Sequence, residues 1–364
     1  MKNALAGTIF ILTALLAISA SARADDITAA WRAPATTAIE VSEMNFSNGP
    51  VHLSGSLYAP KGAKNLPAIV VFHPSSEATR DLAVFSHLKQ MMPPLGIAVF
   101  VFDRRGSGKS GGKPADGDYA ALADDGIAAQ RMLMHDPRID PKRIGFWGLS
   151  QGGWLSLLAA SRSPQTAFAI AVSAPMTTPD VQMNFAVANV LRIDGYSQAD
   201  INIAIAARKA VDDFERGKLD RATAQRRLDA AIAKPWFNLI YMDKTFHDPA
   251  QSGWAREMKN DPLATLPAVK APVLVIYGAK DPWVPANISE QILKANAAKY
   301  PNITTAVIAG ADHAMMLSKS PKEQVDPNGF NGLQPEAPEY FALLASWLTA
   351  HGFARPGGGA AATR

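Results

Sequence analysis

Arg143-Ile144-Gly145-Phe146-Trp147-Gly148-Leu149-Ser150-Gln151-Gly152-Gly153-Trp154 joins a short apolar run to a glycine-flanked serine and then to a helical run. The centre, Gly148-Leu149-Ser150-Gln151-Gly152, is a G-x-S-x-G nucleophile elbow in its required strand–turn–helix setting. Such a turn strains the serine backbone and lifts its hydroxyl off the top of a sheet. Gly148 and Gly152 leave room where strand and helix crowd together. The pentapeptide alone is a common chance match. The flanking strand and helix, with an acid and a histidine downstream in the right order, make it specific.

Working outward, apolar β-branched runs alternate with helix-length segments. Ile39 to Phe46 and Val51 to Tyr58 form an antiparallel pair turning at Asn48-Gly49. Strand runs follow at Ala68 to Phe72, Ile97 to Phe102, Arg143 to Trp147, Phe168 to Val172, Val273 to Tyr277 and Thr304 to Ile308. Helical segments lie between most of them, at Arg80 to Met92, Tyr119 to His135, Trp154 to Ser161 and Ala286 to Tyr300, and Glu336 to His351 closes the chain. This alternation predicts an α/β fold, a mostly parallel sheet covered by helices on both faces.

The rhythm breaks over residues 176–269. That stretch carries helical patterns at Gln198 to Arg216 and Asp220 to Ile232, then Trp236, Phe237, Tyr241, Phe246 and Trp254. It is expected to be a helical cap inserted after the sixth strand, dividing a catalytic body of residues 25–175 and 270–352. The cap aromatics Trp236, Phe237 and Tyr241 are candidates for the wall of an apolar substrate pocket. A tail over 353–364, with Gly357-Gly358-Gly359, is expected to be disordered.

Lys2, an apolar run from Ala4 to Ala20 and Ala22-Arg23-Ala24 read as an export signal over residues 1–24, cleaved after Ala24 or alternatively after Ala22. The run is short for a membrane span and lacks a basic stop-transfer cluster. The expected mature form is therefore periplasmic or secreted, without a membrane span. The 364-residue chain contains no cysteine, which excludes disulfides, thiol catalysis and thiolate metal sites. Its formal charge of +4 falls to +2 once Lys2 and Arg23 leave, too little and too dispersed for a nucleic-acid partner. Asp103-Arg104-Arg105-Gly106-Ser107-Gly108-Lys109-Ser110 ends like a phosphate loop but lacks the first glycine of that spacing. It reads instead as a tight post-strand loop braced by an Asp–Arg contact.

Ser150 needs a base, because a free hydroxyl is a poor nucleophile near neutral pH. Of the seven histidines, His313 sits in a loop just past a strand, where parallel sheets build their sites. Asp281, directly after Val273 to Tyr277, is the candidate to orient the imidazole, with Asp180 as runner-up. Asp312, beside the base, reads as structural. Two backbone N–H donors are required for an oxyanion. Gln151 supplies one and Ser75, the first residue after Pro74 able to donate, the other, with Ser76 as the fallback.

Ser150, Asp281 and His313 in this order, together with the Asp103 to Ser110 loop, resemble the α/β-hydrolase superfamily over roughly Ile39 to His351. More narrowly the chain is similar to capped bacterial esterases and serine-aminopeptidase-like, dienelactone-hydrolase-related enzymes. The resemblance implies an eight-stranded sheet, no metal and no organic cofactor. In that group the early loop reads His-Gly-Ser-Gly, whereas here it is His73-Pro74-Ser75-Ser76. The expected activity is hydrolysis of a small-molecule ester, with a short-peptide amide as the alternative. A binding protein on a hydrolase scaffold is the reading from another class.

Overall fold

A computed structural model of the chain describes residues 37–75, 79–114, 118–317, 320–326 and 336–354. The expected signal segment, Ser76 and residues 355–364 lie outside the described residues.

Eight strands form one sheet: β1 (Ile39–Asn48), β2 (Val51–Pro60), β3 (Leu66–Phe72), β4 (Ala98–Phe102), β5 (Ile139–Leu149), β6 (Ala169–Val172), β7 (Val273–Gly278) and β8 (Ile303–Ile308). Their order is β1-β2-β4-β3-β5-β6-β7-β8. β1 pairs antiparallel with β2, and β2 with β4; every later pairing is parallel. β3, β4, β6 and β7 are buried at every residue, which is why they read as unbroken apolar runs. β1, at the sheet edge, instead mixes buried and exposed positions.

The helices are α1 (Ser86–Met91), α2 (Tyr119–Leu133), α3 (Gln151–Arg162), α4 (Pro179–Ile193), α5 (Gln198–Glu215), α6 (Arg221–Ile232), α7 (Gly253–Glu257), α8 (Pro262–Thr265), α9 (Ala286–Ala295), α10 (Pro321–Val325) and α11 (Pro338–Ala350). Successive strand residues face opposite ways, so the sheet feeds two cores. Phe72, Phe146 and Tyr277 pack with Leu157 on one face; Trp147, Ile170 and Ile276 pack with Tyr340 and Leu344 on the other.

Residues 176–269 contain no strand among the described residues, and α4 to α6 share a third apolar cluster of their own. Helix α4 escaped the sequence reading, although Pro179 in its first turn and Asp180 beside it are start signals.

Three local expectations are corrected. The helix expected from Arg80 is delayed to Ser86, because Arg80 is tied down elsewhere. Its backbone N–H donates to Asp103 Oδ1 at 2.8 Å, and its guanidinium pairs with Asp103 and Glu43, both at 2.9 Å. The Asp103 brace therefore comes from Arg80 across the sequence, while Arg105 pairs with Asp125 at 2.6 Å. Phe353 and Ala354 are not part of a loose tail: the Phe353 ring lies 4.4 Å from that of Phe168, and Ala354 is buried. Helix α9 stops at Ala295, and the turns after it carry Tyr300 into the core.

Candidate active site

Ser150 is the turn residue between β5 and α3, with φ 58° and ψ −119°, a backbone state that side chains rarely adopt and that surrounding packing must enforce. The packing is visible at the two glycines. A Cβ on Gly148 would overlap the Gly152 carbonyl, and one on Gly152 would come within 2.6 Å of the Phe72 oxygen. Only glycine lets the elbow close. The Ser150 N–H donates to Val172 O on β6 at 2.8 Å, pinning the turn to the neighbouring strand.

Asp281 follows β7 and His313 follows β8, at the carboxyl edge of the same sheet. His313 Nδ1 lies 2.7 Å from Asp281 Oδ2. The other carboxylate oxygen, Oδ1, accepts from the N–H groups of Trp283 at 2.8 Å and Val284 at 3.0 Å. The aspartate is thus fully engaged, and its side chain is buried. Ser173 Oγ donates to the His313 carbonyl at 2.8 Å and steadies the loop. Burial alone would pull the His313 pKa down; the charge and hydrogen bond of Asp281, with the charge of Asp312, outweigh it and leave the imidazole above its ordinary value. Among the hydrogen bonds of the described residues, none joins Ser150 Oγ to His313. Such contacts are often long without substrate and tighten in the complex.

The other candidates fall into place differently. Asp180 is occupied in a 2.9 Å ion pair with Arg216. Asp312 Oδ1 accepts from Ala314 and Met316 N–H groups, the work of a turn residue. Gln151 holds the first position of α3, where no helical carbonyl is available to its N–H. The N–H of Ser75 likewise has no partner among the described residues.

The pocket expectation needs correction. Trp236 and Phe237 are buried within the cap's own cluster with Val187, Leu191 and Leu228, and Trp236 Nε1 donates to Asp200 at 3.0 Å. They are packing residues, drawn inward because an amphipathic cap needs a core of its own. Tyr241 differs: it is 49% exposed and its ring lies 5.5 Å from that of Trp283, on the Asp281 loop. The cap reaches that loop at two further points, Gln182 Nε2 to Trp283 O at 2.8 Å and Asn189 Nδ2 to Pro282 O at 2.9 Å.

Arg104 was overlooked in the sequence. Its Nη2 donates to Pro74 O at 2.9 Å, His73 O at 3.3 Å and Gln151 Oε1 at 2.8 Å. Burial lowers its pKa, an effect opposed by the charges of Glu257, Tyr119 and Asp125. Its only signal was a second arginine beside Arg105, past the end of β4.

An elbow serine just after β5 and a His–Asp pair after β8 and β7, on this eight-stranded sheet, are the arrangement of the α/β-hydrolase class. Residues 67–320 match the family described as serine aminopeptidase, S33, and the chain belongs to that family. It is 34% identical over 122 residues to the polyketide transferase claH of Penicillium crustosum, a match spanning 33% of this chain and only 39% of that relative. In structure it is similar to an esterase of Pyrococcus furiosus, with a TM-score of 0.52 and 18% identity over 90% of this chain and 92% of that one. It is also similar to the acylaminoacyl peptidase of Pyrococcus horikoshii, with a TM-score of 0.54 and 16% identity over 85% of this chain and 41% of that one.

Proposed function

We propose that the protein is an exported serine hydrolase that cleaves carboxylic esters through an acyl-enzyme on Ser150. The observation that carries this reading is the 2.7 Å Asp281–His313 pair at the sheet edge from which the Ser150 elbow emerges. With Nδ1–H donated to Asp281, the neutral imidazole keeps its Nε2 lone pair for the serine proton. Ser150 Oγ attacks the ester carbonyl as His313 takes that proton. The Ser75 and Gln151 N–H groups receive the oxyanion. His313 then protonates the departing alcohol, and a water activated by the same imidazole releases the acid.

Small-molecule esters are the proposed substrates, with an apolar acyl group resting against the cap at Tyr241. The family description and the acylaminoacyl peptidase likeness favour a second reading, an aminoacyl amide, on the same machinery. A screen of p-nitrophenyl esters of graded chain length beside aminoacyl-p-nitroanilides separates the two. Ser150→Ala should remove turnover by about 10⁶ while leaving the fold intact. A variant keeping a tenth of wild-type esterase activity would exclude Ser150 as nucleophile.

Export rests on Lys2, the Ala4 to Ala20 run and Ala22-Arg23-Ala24. The protein recovered after expression with its full leader should begin at Asp25, read by intact mass; an unprocessed chain in the cytoplasm would overturn it.

A further inference from the structure

One nitrogen of Arg104 reaches both sides of the proposed oxyanion hole. Pro74 and His73 lie in the loop after β3, and Gln151 follows the serine, yet all three accept from Nη2. Nη2 carries two hydrogens, so with one on Gln151 the two adjacent loop carbonyls share the other. The two sides are already in close contact, since a Cβ on Gly152 would sit 2.8 Å from the His73 oxygen.

Peptide geometry says what this contact does. The Pro74 carbonyl and the Ser75 N–H are the two ends of one peptide unit, and that unit is trans. In a trans peptide the C=O and N–H are coplanar and point opposite ways. Holding the Pro74 oxygen on Arg104 therefore turns the Ser75 N–H away from the guanidinium and fixes its plane. Pro74 contributes no N–H of its own, so Ser75 is the first donor the loop offers after His73. A cationic donor on the carbonyl also polarises the amide and sharpens the positive end of its N–H.

The geometry points to Arg104 as a positioning residue that sets the direction and spacing of the two oxyanion donors, Ser75 and Gln151. This rests on the proposed acyl transfer at Ser150. Among the described residues no hydrogen bond joins Arg104 to Ser150 or His313, and its effect passes through the Pro74–Ser75 peptide and the Gln151 side chain. Because the oxyanion exists only after attack, the arginine acts on the transition state and leaves substrate binding alone.

The test compares wild type, Arg104→Met and Arg104→Lys on the best p-nitrophenyl ester, with binding of a boronic acid and of the carboxylate product measured in parallel. The boronic acid forms a tetrahedral adduct on the serine and reports the oxyanion site. Arg104→Met should lower kcat by about 10- to 100-fold, toward the loss seen when one oxyanion donor is removed, with KM within about twofold. Boronic acid affinity should fall by the same factor and product affinity should hold. Arg104→Lys, which keeps a cation but not the fork, should recover part of the loss.

A rise in KM with kcat unchanged would make Arg104 a substrate-binding cation and overturn the proposal. So would a fall in kcat without loss of boronic acid affinity, or a folded Arg104→Met with wild-type kinetics. If Arg104→Met does not fold by near-ultraviolet circular dichroism, the same comparison on Arg104→Lys decides it. Failure of the Ser150 reading appears separately, as activity retained in Ser150→Ala; failure of the positioning role appears with Ser150 essential and Arg104 dispensable.

Discussion

The sheet body and the cap bury their charges in opposite ways. In the body, Arg80 meets Asp103, Arg105 meets Asp125 and Asp281 meets His313, at 2.9, 2.6 and 2.7 Å. In the cap, Arg208, Asp212 and Glu215 are buried too, but Arg208 Nε, Asp212 Oδ2 and Glu215 Oε2 have no hydrogen-bond partner among the described residues. Burial raises the Asp212 and Glu215 pKa values, the mark of carboxylates held without full compensation. Satisfied polar networks rigidify, while part-satisfied ones cost stability. On the proposed function this difference becomes a division of labour: a more fully braced body holds the chemistry, and a less fully compensated cap reaches it through the Asp281 loop.

The sharpest way to break this division is Asp281→Asn. An amide can hold the imidazole in the wrong tautomer, so turnover should fall to about 10⁻⁴ of wild type with the fold and the order of ester preference unchanged. Steady-state kinetics and circular dichroism check it. Should Asp180→Asn be the damaging change and Asp281→Asn nearly silent, the acid would lie in the cap and the division would collapse.

Trp236→Ala tests the cap. The indole is fully buried in the cap cluster, so its loss should cost about 3–5 kcal/mol, felt first by α4 to α6. Hydrogen exchange should show those helices opening well below the sheet strands. Equal loss of protection in β5 to β7 would mean that cap and body are one cooperative unit.

The pH profile sharpens the body's side. In the proposed mechanism His313 must be neutral to accept the serine proton, and its pKa is raised above about 6.5. The acid limb of kcat/KM should therefore be centred above that value and fall about tenfold per unit below it. Stability runs the other way. A raised folded pKa means the His313–Asp281 pair contributes fully below about 6.5 and loses that contribution as pH rises through the folded value. Activity thus appears across the window in which this contribution fades. A limb centred below 6.5 in the folded protein would contradict the pairing.

The body was the more legible half because its signals are local. Each strand is a continuous apolar run bounded by turn residues, and the elbow, Asp281 and His313 each follow one. The cap was legible as an interruption but not in detail. The sequence could not say whether Trp236 turns toward the site or into the cap, since both uses need the same apolar ring. Arg80 and Arg104 were missed for a related reason. Their partners, Glu43 and Asp103 in one case and His73, Pro74 and Gln151 in the other, are distant in sequence and meet only when the sheet is assembled.

The gentlest test lies where cap and body touch. Tyr241 has φ 52° in a segment whose carbonyls at Ile240 and Tyr241 accept from Arg208 at 2.9 and 3.3 Å. The cap therefore holds the backbone while the ring leans on Trp283, two residues from Asp281. Of the three cap aromatics read as pocket candidates, it alone keeps an exposed face. Tyr241→Ala should shift relative kcat/KM between short and long acyl esters by up to about tenfold, the worth of a lost contact near 1.4 kcal/mol, and leave the acetyl ester and the His313 limb almost unchanged. Trp236→Ala should produce no such length-dependent change while the cap stays folded. If Tyr241→Ala slowed every ester alike, the ring would be bracing the Asp281 loop rather than meeting the acyl chain, and the cap would belong to the chemistry as well as to the choice of substrate.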